Sequence, residues 1–362
     1  MRKLNRKEKK RIEDKWGKLT VPKGETKRAK EIRKNALAFE KQQIDDLAEG
    51  LHLWLQKHPG SNSAEAQKRF REHDEALMVL DYKGVFLMCV ELEKWDWREH
   101  FIDVGPVMNQ GECCNTCWAF AAVSAAACSI QKNYQQQIHS QTYFTDKETG
   151  ELFSIPGAVF CWAGDPSPFV QDLLNCMPTP EEELCLNGWH GKAFDFMVYK
   201  QGIPMCYSDA FTDTNPETGE TITYRREYVR GRKFECNPNN GFIKANAWDY
   251  VNSPPDELPT VEQLKTALVE HGPLAAPIFY DNALSDYKGG VFDGKNVGIV
   301  NHIVLLIGWD DEKGAWLIKN SWGEDWGEKG FGWIKYGSNN IGMFAAWIEA
   351  DMNSFQGPPF QS

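Results

Sequence analysis

The sequence predicts an α+β protein with segregated lobes, and three observations carry that prediction. Helical patterns crowd the first part of the chain. Strand-like apolar runs separated by glycine crowd the last third. Between them, residues 207–240 are rich in Asp, Thr, Asn, Gly and Pro and read as long loops. Helices first and strands last favour separate layers over an alternating βα fold. With 362 residues, 42% hydrophobic and 25% charged, the composition is that of a globular protein able to form two or three compact units.

The elements follow in order. Over 27–57, Ile32, Ala36, Phe39, Leu47, Leu51 and Trp54 recur near the 3.6-residue period of an amphipathic helix. Pro59-Gly60-Ser61 breaks it, and Asn62 with Glu65 reads as a capping box opening a second helix to about Leu80. Gly84 introduces an apolar run from Val85 to Val90 with strand character. Residues 118–130 are helical in composition, as are Lys192–Lys200, which Gly202 and Pro204 end. A short helix over 261–271 stops at Gly272-Pro273. Strands are expected at Ile303–Ile307, Ala315–Lys319, Phe331–Tyr336 and Met343–Ile348. The division that follows is 1–92, an N-terminal helical region; 93–250, a mainly helical lobe; and 251–362, a mainly β lobe.

Charge is unevenly distributed. Residues 1–34 hold 15 Lys or Arg against 5 Asp or Glu, a net of +10, while the whole chain is −11, which leaves −21 for the rest. A basic run such as Arg2–Arg11 can grip nucleic acid or an anionic surface, but no recognition motif accompanies it. We read it as a solvated arm drawn to the acidic body of its own chain, and expect neither a nucleic-acid nor a membrane partner. Residues 1–50 contain no apolar run of signal-peptide length, and no segment approaches transmembrane length.

Nine of the ten cysteines fall within 113–236. Such clustering reads as a metal site, a disulfide framework or a nucleophile. Zinc requires a second close pair beside Cys113, Cys114 and Cys117, and Cys176 and Cys185 are too far apart to supply it. No metal and no cofactor is expected. A disulfide framework implies an oxidising compartment.

Three residues can carry chemistry. Cys117 stands just before a helical run, where unpaired N–H groups and the macrodipole favour the thiolate. A structural thiol or disulfide partner is the alternative for it. Of eight His, only His302 directly precedes a fully apolar strand, which would hold it at a fixed distance from a partner on another element. Eighteen residues on, Asn320 ends another strand; a neutral amide there can accept the imidazole N–H and fix its tautomer, and Trp322 can shield that bond from water.

Several motifs together resemble the papain and cathepsin family of cysteine proteases. They are Gln110-Gly111, Cys114-x-x-Cys117-Trp118-Ala119-Phe120, Pro168–Cys176, Cys185–Gly188, Gly289-Gly290-Val291-Phe292, Asn301-His302 and Lys319-Asn320-Ser321-Trp322-Gly323-x-x-Trp326-Gly327. The resemblance runs from Trp95 to Glu349, about 70% of the chain. It implies a two-lobe fold, a helical lobe plus a β-barrel-like lobe, acting as a monomer on peptide or protein substrates. It implies Cys117 as nucleophile, His302 as base, Asn320 as orienter and Gln110 as an oxyanion donor. It also implies that Gly188 pairs with substrate backbone. Glu349 would floor the pocket for the side chain two residues before the cut, with Pro277, Val300 and Ile303 as walls. Disulfides Cys114–Cys185 and Cys176–Cys236 are implied, with Cys113 a rival for Cys114. Residues 1–92 would be a pro-segment covering the cleft. The loop Glu112-Cys113-Cys114 is one residue longer than the family pattern. A catalytically inactive binding homologue would lack one of the three central residues, whereas a thiol acyltransferase would share all of them.

Overall fold

The computed structural model describes residues 92–100, 102–141, 143–145, 152–154, 166–186, 188–205, 210–214, 221–225, 228–236, 241–294, 299–350 and 355–356, with positions 6, 7, 10 and 23. The expected helices over 27–57 and 62–80 and the strand over 85–90 lie outside these residues. The chain groups into one unit of residues 1–24, 92–135 and 158–362 and a second of 25–91 and 136–157.

In chain order the elements are β1 (Lys94–Asp96), α1 (Cys117–Gln141), β2 (Tyr143–Thr145), β3 (Leu152–Ser154), α2 (Pro166–Cys176), α3 (His190–Tyr199), β4 (Ile203–Met205), β5 (Ala210–Thr214) and β6 (Thr221–Arg225). Then come β7 (Gly241–Ile243), β8 (Ala247–Tyr250), α4 (Val261–His271), β9 (Leu274–Ile278), α5 (Asn282–Ser285), β10 (Val291–Phe292), β11 (His302–Asp310), β12 (Ala315–Lys319), β13 (Phe331–Lys335), β14 (Ala346–Glu349) and β15 (Phe355–Gln356).

Local chemistry accounts for the clearest of these. Thr260 and Gln263 form a reciprocal capping box at the start of α4, and Gly272, at φ 90°, closes it. α1 runs past the alanine-rich stretch that announces it, to Gln141. The long-loop reading of 207–240 is corrected: β5 and β6 pair antiparallel from Ala210↔Arg225 to Thr214↔Thr221, where alternating Thr, Ile and Tyr suit a strand. The last expected strand starts later, at Ala346, because Ile341–Phe344 form turns in which Phe344 takes φ 60°.

The main sheet has eight strands: seven in the order β10-β13-β12-β11-β9-β14-β8, with β1 paired to β11 off this path. β11 is buried along its whole length. On one edge it pairs with β12; on the other, residues 302–306 pair with β9 and residues 308–310 with β1. Gly308 sits at that junction, where a Cβ would lie 2.1 Å from Trp95 O, so only glycine lets β1 approach. The strand 247–250 belongs to the same sheet as β14, and β1 to the same sheet as β11. Trp309, Trp316, Trp248, Trp118, Trp189 and Phe194 are fully buried.

Candidate active site

Cys117 is the first residue of α1 and is 2% exposed. The helix is entered from Thr116, whose carbonyl accepts from Ala119 N and Phe120 N. No acidic residue occupies the first turn, so nothing there opposes a thiolate. Two disulfides fix the approach: Cys114–Cys185 holds the loop just before Cys117, and Cys176–Cys236 ties the end of α2 to the chain after Tyr228. Both are the pairs implied by the family resemblance. Among the described residues Cys113 is the exposed free thiol, at φ 60°, and Cys128 is buried, its thiol pushed up to about 12 by desolvation.

His302 opens β11 and Asn320 follows the last residue of β12. The register Leu305↔Lys319 places Asn320 across from Val304, one diagonal step from His302. Their side chains meet, His302 Nε2 lying 2.7 Å from Asn320 Oδ1. That same oxygen accepts from Ser321 N at 2.8 Å, which identifies it as the carbonyl of the amide. The imidazole therefore donates through Nε2. Trp322 stacks on the imidazole at 4.4 Å and 27°, and Tyr280 meets it edge-on at 5.6 Å. Asn301 clamps Tyr280 by accepting from its N–H and donating to its carbonyl.

Gln110 is buried and held at both ends. Its backbone N–H donates to Ser321 O at 2.9 Å, its Oε1 accepts from Ser321 Oγ at 2.7 Å, and its Nε2 donates to Cys114 O at 2.6 Å. An amide nitrogen has two hydrogens, so one remains for a developing anion. A small cavity of about 20 Å³ is lined by Phe120, Ala121 and Ser124 of α1 and by Ile303, Asn320 and Ser321. The helix that starts at Cys117 and the strand that starts at His302 thus face each other.

Gly188 lies against the indole of Trp118: a Cβ there would fall 1.9 Å from Trp118 Nε1. Next to it, His190 begins α3 fully buried, with Nε2 3.0 Å from Phe344 O. Burial pushes this imidazole down to about 3. Pro277 sits opposite Ile303, and Asn301 N donates to Ile278 O, which brings Val300 to the same strand end.

Glu349 is not brought to this group. Ala346 pairs with Ala275, so Glu349 runs three residues one way while Pro277 lies two residues the other. Five strand steps separate them by roughly 16 Å. Glu349 Oε1 instead lies 2.9 Å from His271 Nδ1, beside Trp347 stacked on the same imidazole. The expectation that Glu349 floors the pocket is corrected: the strand carries its carboxylate to His271, away from Pro277. Tyr228, which the loop reading of 207–240 passes over, has its hydroxyl 3.2 Å from Gln110 O and 2.9 Å from Thr116 Oγ1. Among the described residues no His, Cys, Asp and Glu cluster could hold a metal ion.

Against known families, residues 92–146 and 167–349 match the papain family of cysteine proteases. The chain belongs to the papain family. Among its relatives, cathepsin J of Mus musculus is 32% identical over 255 residues, 68% of this chain and 60% of that protein. Pro-cathepsin H of Bos taurus is 28% identical over 258 residues, 69% of this chain and 62% of that one. The chain spans about 60% of the length of these relatives. A solved cysteine protease of Carica candamarcensis is 22% identical, covers 72% of this chain and 99% of its own, and superposes with a TM-score of 0.45. As a papain-family chain, this protein has an α+β fold, and its match begins at residue 92, two residues before β1.

Proposed function

We propose that the protein is a cysteine endopeptidase that hydrolyses peptide bonds through a thioester. The observation that carries this reading is the 2.7 Å hydrogen bond between His302 and Asn320, on strands facing the helix that starts at Cys117. With Nε2–H committed to Asn320, Nδ1 is the nitrogen that takes the Cys117 proton. The thiolate attacks the peptide carbonyl and the carbonyl π pair moves to oxygen. The Cys117 N–H, at the helix start, and the second Gln110 Nε2 hydrogen stabilise that oxyanion; one such donor contributes about 2.7–4 kcal/mol. Collapse expels the amine with the proton from His302. Water, deprotonated by His302, then cleaves the thioester. Trp322 and Tyr280 keep solvent from the imidazole.

Gly188 would offer backbone groups to an extended peptide, and Pro277, Val300 and Ile303 an apolar wall for the side chain two residues before the cut. Residues 1–92 would cover the cleft. What supports an arm drawn to the body is Lys23, whose Nζ lies 3.9 Å from Asp195 Oδ2 and over the Tyr199 ring. A chain starting near Glu93 should be more active than the full chain at low salt, and the gap should narrow as salt screens the attraction.

Alkylation with iodoacetamide, adduct mapping and hydrolysis of a quenched peptide test the central reading. The adduct should fall on Cys117, and Cys117→Ala should abolish hydrolysis with the fold intact. Hydrolysis retained by Cys117→Ala would overturn it, as would product that is transferred to an added amine and never to water.

A further inference from the structure

The hydroxyl of Tyr228 is where two parts of the site meet. It donates to Gln110 O at 3.2 Å and lies 2.9 Å from Thr116 Oγ1 and 3.4 Å from Cys114 Sγ. A carbonyl can only accept, so Tyr228 is the donor to Gln110 O, while Thr116 Oγ1 shares a hydrogen bond with Tyr228 and also lies 3.8 Å from Cys114 Sγ, to which it donates. Gln110 carries the oxyanion-binding amide; Thr116 is the residue before the nucleophile and the last before the helix. One hydroxyl thus spans the loop 111–115 from its first anchor to its last. That loop is one residue longer than the family pattern and turns through Cys113 at φ 60°.

Tyr228 is itself held from outside the site. Val229 N donates to Gln171 Oε1 at 2.9 Å, and Gln171 Nε2 donates to Arg232 O at 3.0 Å. Gln171 lies on α2 and is fully buried. Phe234 N donates to Asn175 Oδ1 one turn further on, and Cys176–Cys236 closes the same ladder. From the other side Arg230 Nη1 donates to Glu112 O at 3.0 Å. The Tyr228 ring packs edge-on against Phe120, in the first turn of the nucleophile helix, at 4.9 Å and 74°. Burial favours the neutral phenol, the form that can donate.

We propose that Tyr228 is a positioning residue for the oxyanion-binding pair: its hydroxyl pins the Gln110 backbone to Thr116, so that the Gln110 amide and the Cys117 N–H converge on one point. Pair donors act only when fixed in advance on the place where charge develops, so a shift of Gln110 weakens transition-state binding and leaves ground-state binding in place. The inference rests on the reading of Cys117 as nucleophile.

The test uses Tyr228→Phe, which keeps the ring against Phe120 and removes only the hydroxyl, and Thr116→Val, which removes its partner without changing side-chain size. Three readouts separate the steps. For a quenched peptide, kcat should fall about tenfold or more with KM within about twofold. Affinity for a peptide aldehyde should fall by the same factor as kcat, because thiolate addition moves the carbonyl pair to an oxygen that needs the pair of donors. The rate and pH profile of Cys117 alkylation by iodoacetamide should be unchanged, because displacement of iodide forms no oxyanion. The two variants combined should lose no more than either alone, since both break one link. Alkylation slowed as much as hydrolysis, or aldehyde affinity unchanged in both variants, would overturn the proposal. If neither variant keeps the wild-type iodoacetamide rate while thermal midpoints drop, the role is structural and the proposal fails. Wild-type protein that is neither labelled at Cys117 nor hydrolytic would instead sink the underlying reading, which keeps the two failures distinct.

Discussion

Gly188→Ala is a small change with a large predicted effect. The added methyl would sit 1.9 Å from Trp118 Nε1, 2.0 Å from Cε2 and 2.5 Å from Cδ1. Nothing flexible can yield, because Trp118 is 1% exposed and its neighbour Trp189 is fully buried. Overpacking of this kind costs about 1–3 kcal/mol, which lowers the thermal midpoint by a few degrees. The displaced indole is the residue after Cys117, so activity should drop further than stability accounts for. The assay is a double-mutant cycle. Gly188→Ala is made in the wild-type and in a Trp118→Leu background, which removes all three crowded atoms, and unfolding and kcat/KM are measured for each. The penalty of the alanine should shrink to under about 1 kcal/mol in the Leu background, giving a clear coupling energy. Equal penalties in both backgrounds would refute the argument that Trp118 is what excludes a side chain at 188.

Three further outcomes follow from other contacts. His190 has a folded pKa near 3, well below its ordinary value, so the unfolded state takes up the proton first; stability should be full above about pH 6.5 and fall by up to about 1.4 kcal/mol per pH unit towards pH 3, and His190→Gln should flatten that slope in unfolding titrations. Glu349→Ala should leave the ratio of cleavage after Arg-containing and Phe-containing partners of one peptide within twofold, since its carboxylate is engaged by His271; a tenfold loss confined to Arg would return Glu349 to the pocket. Replacing Cys176 and Cys236 together by Ala should cost roughly 2–4 kcal/mol in denaturant unfolding, because their bond spans 60 residues, and no loss would show the bond to be absent.

What could be read from the sequence was what short-range chemistry dictates. α4 matches its expected span because Thr260 and Gly272 mark both ends within the helix itself. β12 matches because an apolar run between glycine-rich turns has one plausible conformation. Cys117, His302 and Asn320 were legible because each stands at the end of such an element, in motifs that recur together. What escaped depended on distance. β1 pairs with residues more than 200 positions away, and nothing in Lys94-Trp95-Asp96 announces the partner. Tyr228 sits in a stretch whose composition says loop, and its role comes from contacts at separations of 112 and 118 residues. Glu349 could not be placed by counting along the chain, because its partner His271 lies 78 residues away.

The pairing of β1 with β11 has a consequence for how the cleft can work. Leu92 O accepts from Trp309 Nε1, Glu93 O accepts from Asp311 N, and Lys94–Asp96 then join the sheet that carries His302. Further along, the carbonyls of Val104 and Gly105 accept from Lys319 Nζ, one residue before Asn320. The chain leading to the nucleophile is thus laced through the strands of its base before it reaches α1. Prying the two apart would mean unzipping strand hydrogen bonds rather than flexing a hinge. The strand that carries His302 and the chain that leads to Cys117 are thus joined along one seam, and trimming past Glu93 would unpick it.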